Sequence, residues 1–496
     1  MQYFQSYLNS LYLIKSTHHF MKNIAIILFS FLLSLNLKAQ KSSQEIFQKL
    51  DEQFSFYGNI AHAIWGFAEL GYQEEKSSAL LQTTLANESF RIEKGVAGIP
   101  TAFIAEYGSG KPIIAILGEY DALPGLSQEA IPEKKSAGAA AGHGCGHHLF
   151  GTASTAAAIS VKDWMKNNNI KGTIRFYGCP AEEGGSGKVY MSRAGLFNDV
   201  DAVLDWHPSD ENSASPKMRL ANKSAKFRFY GISAHAASAP EKGRSSLDAV
   251  EAMNYMANMM REHVPQETRI HYVITDGGKA PNVIPDFAEV YYYVRHPNRN
   301  DVSNIFNRIV KAAEGAALGT GTTMDYEIVG GTHEMLQNFT LQKMMYDNLV
   351  KVGGYKYTPE EKEFAEKITQ SLNLKSLDTK YSEGVKPYNV DLNPKGAGSS
   401  DVGDVSFNAP TCGLRVATFV PGTPGHSWQA VAAGGTSIGT KGMMTAAKVL
   451  TLSAIELFSN PEFLVKARKE FEEARGKDFK YEPLLGDRAP ALDYRN

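Results

Sequence analysis

A thiol and three imidazoles fall within the run Gly142-His143-Gly144-Cys145-Gly146-His147-His148. Glycines between the polar residues let the backbone turn sharply and bring several side chains toward one point. Cysteine and histidine are soft or borderline donors suited to zinc, manganese or a similar divalent ion. The run gains meaning from its company: Glu182-Glu183 in C-P-A-E-E-G-G, His207 in D-W-H-P and His426 in P-G-H-S-W. Together these supply the parts of a metallohydrolase. Cys145 and His147 are the stronger ligand candidates, whereas His143 and His148 read as groups behind the ligands or as polar surface.

Adjacent glutamates on a glycine-rich turn suit a division of labour, because neighbouring side chains point in different directions. Glu183 is assigned to the metal and Glu182 to proton transfer toward a leaving amine. A divalent cation lowers the pKa of a water it holds from about 16 to about 7 in the best cases, so hydroxide becomes available near neutrality. Each donor alone has a plainer reading. A Glu-Glu pair is commonly a solvated turn, His207 could be a buried histidine with a backbone partner, and His426 could be an ordinary loop residue. Their conjunction favours the chemical reading.

The elements that must position these groups alternate. Strand patterns at 101–107 and 112–117, an alanine-rich helix over 151–165, a strand over 172–178, a helix over 187–194 and a strand over 201–206 predict an α/β domain. Its core sheet is expected to be mostly parallel and flanked by helices, with ligands gathering at the carboxyl ends of the strands. From about Lys217 the order becomes β-α-β-β-α-β, that of a compact ferredoxin-like unit. The expected organisation is an upstream extension and leader over 1–40, a first catalytic part over 41–216, an inserted domain over 217–331 and a returning catalytic part over 332–496. The return carries helices over 341–352, 360–371, 437–458 and 461–475, with a polar glycine-rich loop over 382–405. The charged, proline-bearing tail after Gly476 is expected to be a surface extension.

A chain of 496 residues exceeds what one hydrophobic core usually serves. The net charge of -2 gives no electrostatic case for nucleic acid or an anionic membrane surface. Near the N-terminus Lys22 precedes the apolar run Ile24 to Leu35, and Leu37-Lys38-Ala39 ends in a small residue before Gln40. That is the pattern of a secretory signal peptide over about 21–39, with an uncleaved N-terminal anchor as the alternative, and the run is too short for a comfortable membrane span. Residues 1–20 then lie upstream of a start at Met21, and the periplasm or the exterior is the expected destination. Only three cysteines follow, Cys145, Cys179 and Cys412. An odd number in an exported protein argues against a disulfide framework. Metal binding would account for Cys145, and Cys179 and Cys412 read as small buried residues.

The ordered segments G-E-Y-D-A-L-P-G, G-H-G-C-G-H-H, C-P-A-E-E-G-G-S-G-K, D-W-H-P, G-I-S-A-H-A-A, A-P-N-V-I-P-D, Y-V-R-H-P, G-S-S-D-V-G-D-V-S and T-P-G-H-S-W run from Gly118 to Trp428. In them the chain resembles the aminoacylase and carboxypeptidase-like family of dinuclear metallohydrolases. It is most similar to the branch of N-acyl-amino-acid amidohydrolases that use a cysteine ligand. The resemblance implies two divalent metal ions, zinc or manganese, held by Cys145, His147, Glu183, His207 and His426, with Glu182 as general acid/base. It implies that the insert mediates dimerisation, and that His235 helps hold the reacting carbonyl oxygen across the dimer. Asn282 and Arg295 match positions suited to the substrate carboxylate, which a guanidinium can grip with two parallel hydrogen bonds. Glu119 stands where many relatives carry histidine, and His148 stands where the branch commonly carries aspartate or asparagine.

The expected activity is hydrolysis of an amide between an acyl group, in particular an aromatic one, and an amino acid. A dipeptidase or aliphatic aminoacylase is the alternative within the class. A non-catalytic subunit pairing with a paralogue is the alternative outside it, and the completeness of the donor set argues against that.

Overall fold

The structure, a computed structural model, describes residues 44–495. The leader segment and everything before it lie outside the described residues. A short N-terminal unit ends at Phe54 and is helical over 44–52; everything from Ser55 onward forms a second unit. In chain order the strands begin with β1 Arg91–Lys94, β2 Phe103–Ser109, β3 Ile113–Glu119, β4 Leu123–Pro124, β5 Ala141–Gly142 and β6 Gly172–Cys179. They continue with β7 Ala202–Ser209, β8 Ala221–Tyr230, β9 Arg269–Asp276, β10 Phe287–His296, β11 Thr323–Thr332 and β12 Thr411–Ala417.

The run I-I-A-I-L-G-E in β3 is buried at every position, as a strand covered on both faces requires. It lies in a six-stranded sheet of order β1-β2-β6-β3-β7-β12. β6, β3, β7 and β12 are mutually parallel, while β1 and β2 add antiparallel strands at one edge. β6 separates β2 from β3, so the Gly-Ser-Gly turn between those two does not close a hairpin. Helices His147–Asn168 and Ser437–Ser459 pack together over the sheet. The expected largely parallel core is therefore present. Its carboxyl edge gathers the end of β3 at Glu119, the loop after β6 with Glu182 and Glu183, His207 in β7, and the loop after β12 with His426.

The insert follows its predicted order and pairs as β11-β8-β10-β9, antiparallel throughout. In β10 every second residue is buried, so Ala288, Val290, Tyr292 and Val294 face the core formed with helices Ser246–Met260 and Arg299–Thr320. Tyr291, Tyr293 and Arg295 consequently occupy the opposite face, by the two-residue period of a strand.

The tail corrects the expectation of a surface extension. Leu485 is 1% exposed, and Leu484 joins the core of the insert. Arg193 donates to the carbonyls of Gly486 and Arg488, and the Tyr481 hydroxyl donates to Asp404 Oδ1 at 2.7 Å. Nothing periodic marks this charged stretch, yet Leu484 and Leu485 are buried and Tyr481 and Tyr494 half-buried. The polar loop over 382–405 also ends in structure, because helix Val402–Ser406 is wholly buried.

Candidate metal centre

The glycines of the cysteine-histidine run act by geometry. Gly146 has φ +77° and precedes the first turn of helix His147–Asn168, and a Cβ at Gly142 would lie 2.1 Å from the Leu126 carbonyl oxygen. The turn aims Cys145 Sγ to within 3.4 Å of His207 Nε2. His147 Nδ1 meets Asp121 Oδ1 at 2.8 Å, which fixes the ring and leaves Nε2 facing the cluster. Asp121 Oδ2 accepts the Glu183 amide at 2.9 Å and so ties the glutamate loop to the same carboxylate. His426 has φ +58°, donates its amide to the Gly144 carbonyl at 2.9 Å, and presents Nε2 to Glu183 Oε1 at 3.1 Å.

Donor atoms converge in three groups, each within 4.8 Å: Cys145, His147 and His207; Cys145, Glu183 and His426; and Glu119, His147 and Glu182. All five sequence-predicted ligands thus come together, with Cys145 common to the first two groups. Three buried atoms at this place lack a well-formed hydrogen bond and have only each other or a histidine within ion-pair distance: His147 Nε2 and Glu119 Oε2 stand 3.0 Å apart, and Glu183 Oε1 stands 3.1 Å from His426 Nε2. Orphaned buried polar atoms are costly, and a thiolate, imidazoles and carboxylates together are the donor set that divalent cations satisfy. The residues present therefore fit a pair of divalent ions.

Electrostatics agree. Burial works against charge on His147, but Glu119, Cys145 and Asp121 outweigh it and raise its pKa well above the ordinary value. Hydrogen bonding to Cys145, then to Glu183, lifts His426 to about 10. Burial, then the carboxylates of Glu119, Glu183 and Asp401, raises Glu182 well above the ordinary range. A carboxylate with raised proton affinity suits the acid/base role predicted for it.

His143 and His148 are buried, which corrects the polar-surface reading. Their Nε2 atoms meet the Ile64 and Gly434 carbonyls at 3.0 Å each, and burial holds His143 down to about 4. Both brace the turn from behind. Cys179 and Cys412 are buried, as expected. Arg295 lines the cleft, a cavity of about 530 Å³ that also contains Cys145, His207 and His426. His235 and Asn282 do not line it. They lie exposed in adjoining loops of the insert, where Ala236 donates to the Asn282 carbonyl at 3.1 Å.

Sequence reasoning missed a buried ionic group beneath the cluster. Lys188 Nζ meets Glu119 Oε1 at 2.5 Å and Asp401 Oδ1 at 2.8 Å, with all three side chains at most 1% exposed. Lys188 and Asp401 both stand in the motif segments, so their signal was present without a role. The tail was missed as well: the Tyr494 hydroxyl and Arg495 Nη2 donate to the Glu183 carbonyl at 3.0 and 2.5 Å.

A parallel-edged α/β domain, a four-stranded insert and a shared-thiol donor cluster define a class, the metal-dependent hydrolases of amide bonds. The M20 peptidase dimerisation domain matches residues 220–320. The chain is 41% identical to a p-aminobenzoyl-glutamate hydrolase chain of Escherichia coli over 461 residues, covering 87% of this chain and 95% of that one. It is 28% identical to the Xaa-Arg dipeptidase of Mus musculus, covering 86% of this chain and 91% of that one. Among solved structures, a dinuclear metal-binding peptidase of the M20 family from Bacillus subtilis superposes with a TM-score of 0.52 at 18% identity, covering 83% of this chain and 99% of that one. The chain belongs to the M20 family of metal-dependent peptidases and amidohydrolases.

Proposed function

We propose that this protein hydrolyses the amide of an N-acyl amino acid with an aromatic acyl group, of the kind named in its p-aminobenzoyl-glutamate-hydrolase relative. One observation carries the reading: Cys145 is shared by two donor groups, and the carboxyl of Glu182 stands beside them in a third. Cys145, His147 and His207 would hold one cation, and Cys145, Glu183 and His426 the other; zinc and manganese both suit this donor set. Bound there, the ions would supply Lewis acidity to a scissile carbonyl and hydroxide at neutral pH. Glu182 would accept a proton at its carboxylate and return it to the departing amine nitrogen. Arg295 would grip the amino-acid carboxylate from the insert.

Exposed apolar residues support a dimer formed through the insert. Tyr255 and Met259 on helix Ser246–Met260 are 68% and 50% exposed, and Val273 on the edge strand β9 is 57% exposed. Larger apolar patches of this sort mark association sites. His235 and Asn282, exposed on the same domain, would then serve the partner's cleft. The leader pattern supports export to the periplasm or beyond, and among the described residues no helix is long and apolar enough to cross a membrane. Replacing Glu182 with glutamine keeps the shape and removes the proton acceptor. Glu182→Gln should retain two metal ions per chain by elemental analysis while turnover of N-acyl amino acids falls by about 10²-fold or more; undiminished hydrolysis excludes the assignment.

A further inference from the structure

Four arginines line the metal cleft: Arg219, Arg295, Arg415 and Arg495. The carboxylates lining it are Glu182, Glu183 and Asp401, and each already faces other groups. Asp401 pairs with Lys188, Glu183 with His426, and Glu182 with the Glu119 and His147 donors. Arg495 is engaged with the Glu183 carbonyl, and Arg295 lies over the Tyr293 ring and reaches Ser399 Oγ at 3.5 Å. Arg219 and Arg415 are different. Neither guanidinium has a hydrogen-bond or ion-pair partner among the described residues.

The position of that pair is specific. Arg415 in β12 is the register partner of His207 in the parallel strand β7, so its side chain leaves the sheet beside that candidate ligand. Arg219 enters from the segment leading into β8. Both also line a second chamber of about 250 Å³, with Lys217, Ser213, Ser215 and Gln342. Asp205, the one carboxylate lining that chamber among the described residues, forms no ion pair with either arginine. The nearby acids are committed elsewhere: Glu211 pairs with Lys386 at 2.8 Å, and Asp210 accepts the Gly422 amide at 2.9 Å. Burial, then the like charge of Arg219, depresses Arg415 from its ordinary value.

Two half-buried guanidinium groups that line the same cleft wall, repel each other and have no ion-pair partner within reach are destabilising unless an anion joins them, the charges of Cys145, Glu211 and Asp210 offsetting that repulsion only in part. Arg295 is already assigned to one substrate carboxylate. We infer that Arg219 and Arg415 form a second anion subsite that receives an acidic side chain on the amino-acid half of the substrate. The proposal rests on the hydrolytic reading above and narrows its substrates to N-acyl dicarboxylic amino acids. A planar guanidinium pair suits a carboxylate, and it repels the cationic side chain that the name of the Xaa-Arg dipeptidase relative specifies.

The test compares 4-aminobenzoyl conjugates of L-glutamate, L-glutamine and L-arginine on the metal-loaded full chain. Losing one charge-assisted contact corresponds to at least about tenfold, so kcat/KM should favour glutamate over glutamine by that factor or more, chiefly through KM. Arg219→Ala and Arg415→Gln should each bring the ratio close to one. Arg219→Lys, which keeps the charge without the fork, should retain part of it. Calorimetric titration with glutarate provides a readout independent of turnover and of the variants' activity, with binding weakened by at least about tenfold in Arg219→Ala. A wild-type ratio within about twofold, or a ratio and glutarate affinity unchanged in both variants, overturns the subsite, since even one such hydrogen bond should exceed that. Failure to cleave any conjugate while glutarate discrimination persists would sink the hydrolytic reading and leave the subsite standing.

Discussion

Replacing Lys188 with methionine is the sharpest test of how the cleft is held together. Methionine keeps most of the length and removes the charge. In the folded protein Lys188 neutralises Glu119 and Asp401 at 2.5 and 2.8 Å with no access to water, and its backbone amide also donates to Asp401 Oδ2 at 2.9 Å. Removing one member of a buried ionic group leaves uncompensated charge, and the expected cost is about 3–5 kcal/mol. The pH dependence has a definite sign. Burial already raises Asp401 to about 6 in spite of Lys188, so without that lysine the folded pKa must climb further. An acid whose folded pKa exceeds its unfolded value loses stability as pH rises toward the folded pKa. The wild type should therefore respond little to Asp401 above about pH 6, whereas Lys188→Met should continue to weaken between about pH 6 and 8. Urea unfolding at the two pH values, with and without a chelator, measures this. Lys188→Met/Asp401→Asn should recover at least about 1 kcal/mol over the sum of the single variants, as coupled partners do. A Lys188→Met loss below about 1 kcal/mol, with no coupling to Asp401, would refute the buried ionic group.

Asp121 orients His147 without touching the cluster itself, so Asp121→Asn should lower metal affinity by about 10–100-fold, measured by competition with a chromophoric chelator. The tail fixes the backbone of the glutamate loop, and Tyr494→Phe with Arg495→Ala removes both donors to the Glu183 carbonyl. Each lost hydrogen bond corresponds to about 1 kcal/mol, so kcat/KM should fall by about tenfold or more while bound metal stays at two ions per chain. Unchanged kinetics would return the tail to a purely structural role.

The sequence was legible wherever chemistry is local. The run Gly142 to His148 confines its donors to one turn, and glycine is required there by a positive φ and by the closeness of Leu126. The strands and helices of the insert were readable because β10 alternates strictly and its helices carry continuous apolar faces. The roles of Lys188, Arg219 and Arg415 were not readable, because a lone lysine or arginine has the same letter whether solvated or buried.

Local spacing and residue type marked Cys145, His147 and the Glu182-Glu183 pair as candidate groups for a cation and a proton, since a glycine-rich turn confines neighbouring side chains to one place. Only the folded chain decided that Arg415 stands beside His207, that Lys188 joins Glu119 to Asp401, and that the tail reaches back to Glu183. Those contacts join residues tens to hundreds of positions apart. They depend on parallel strand register and on the exclusion of water, and neither quantity exists until the sheet has assembled.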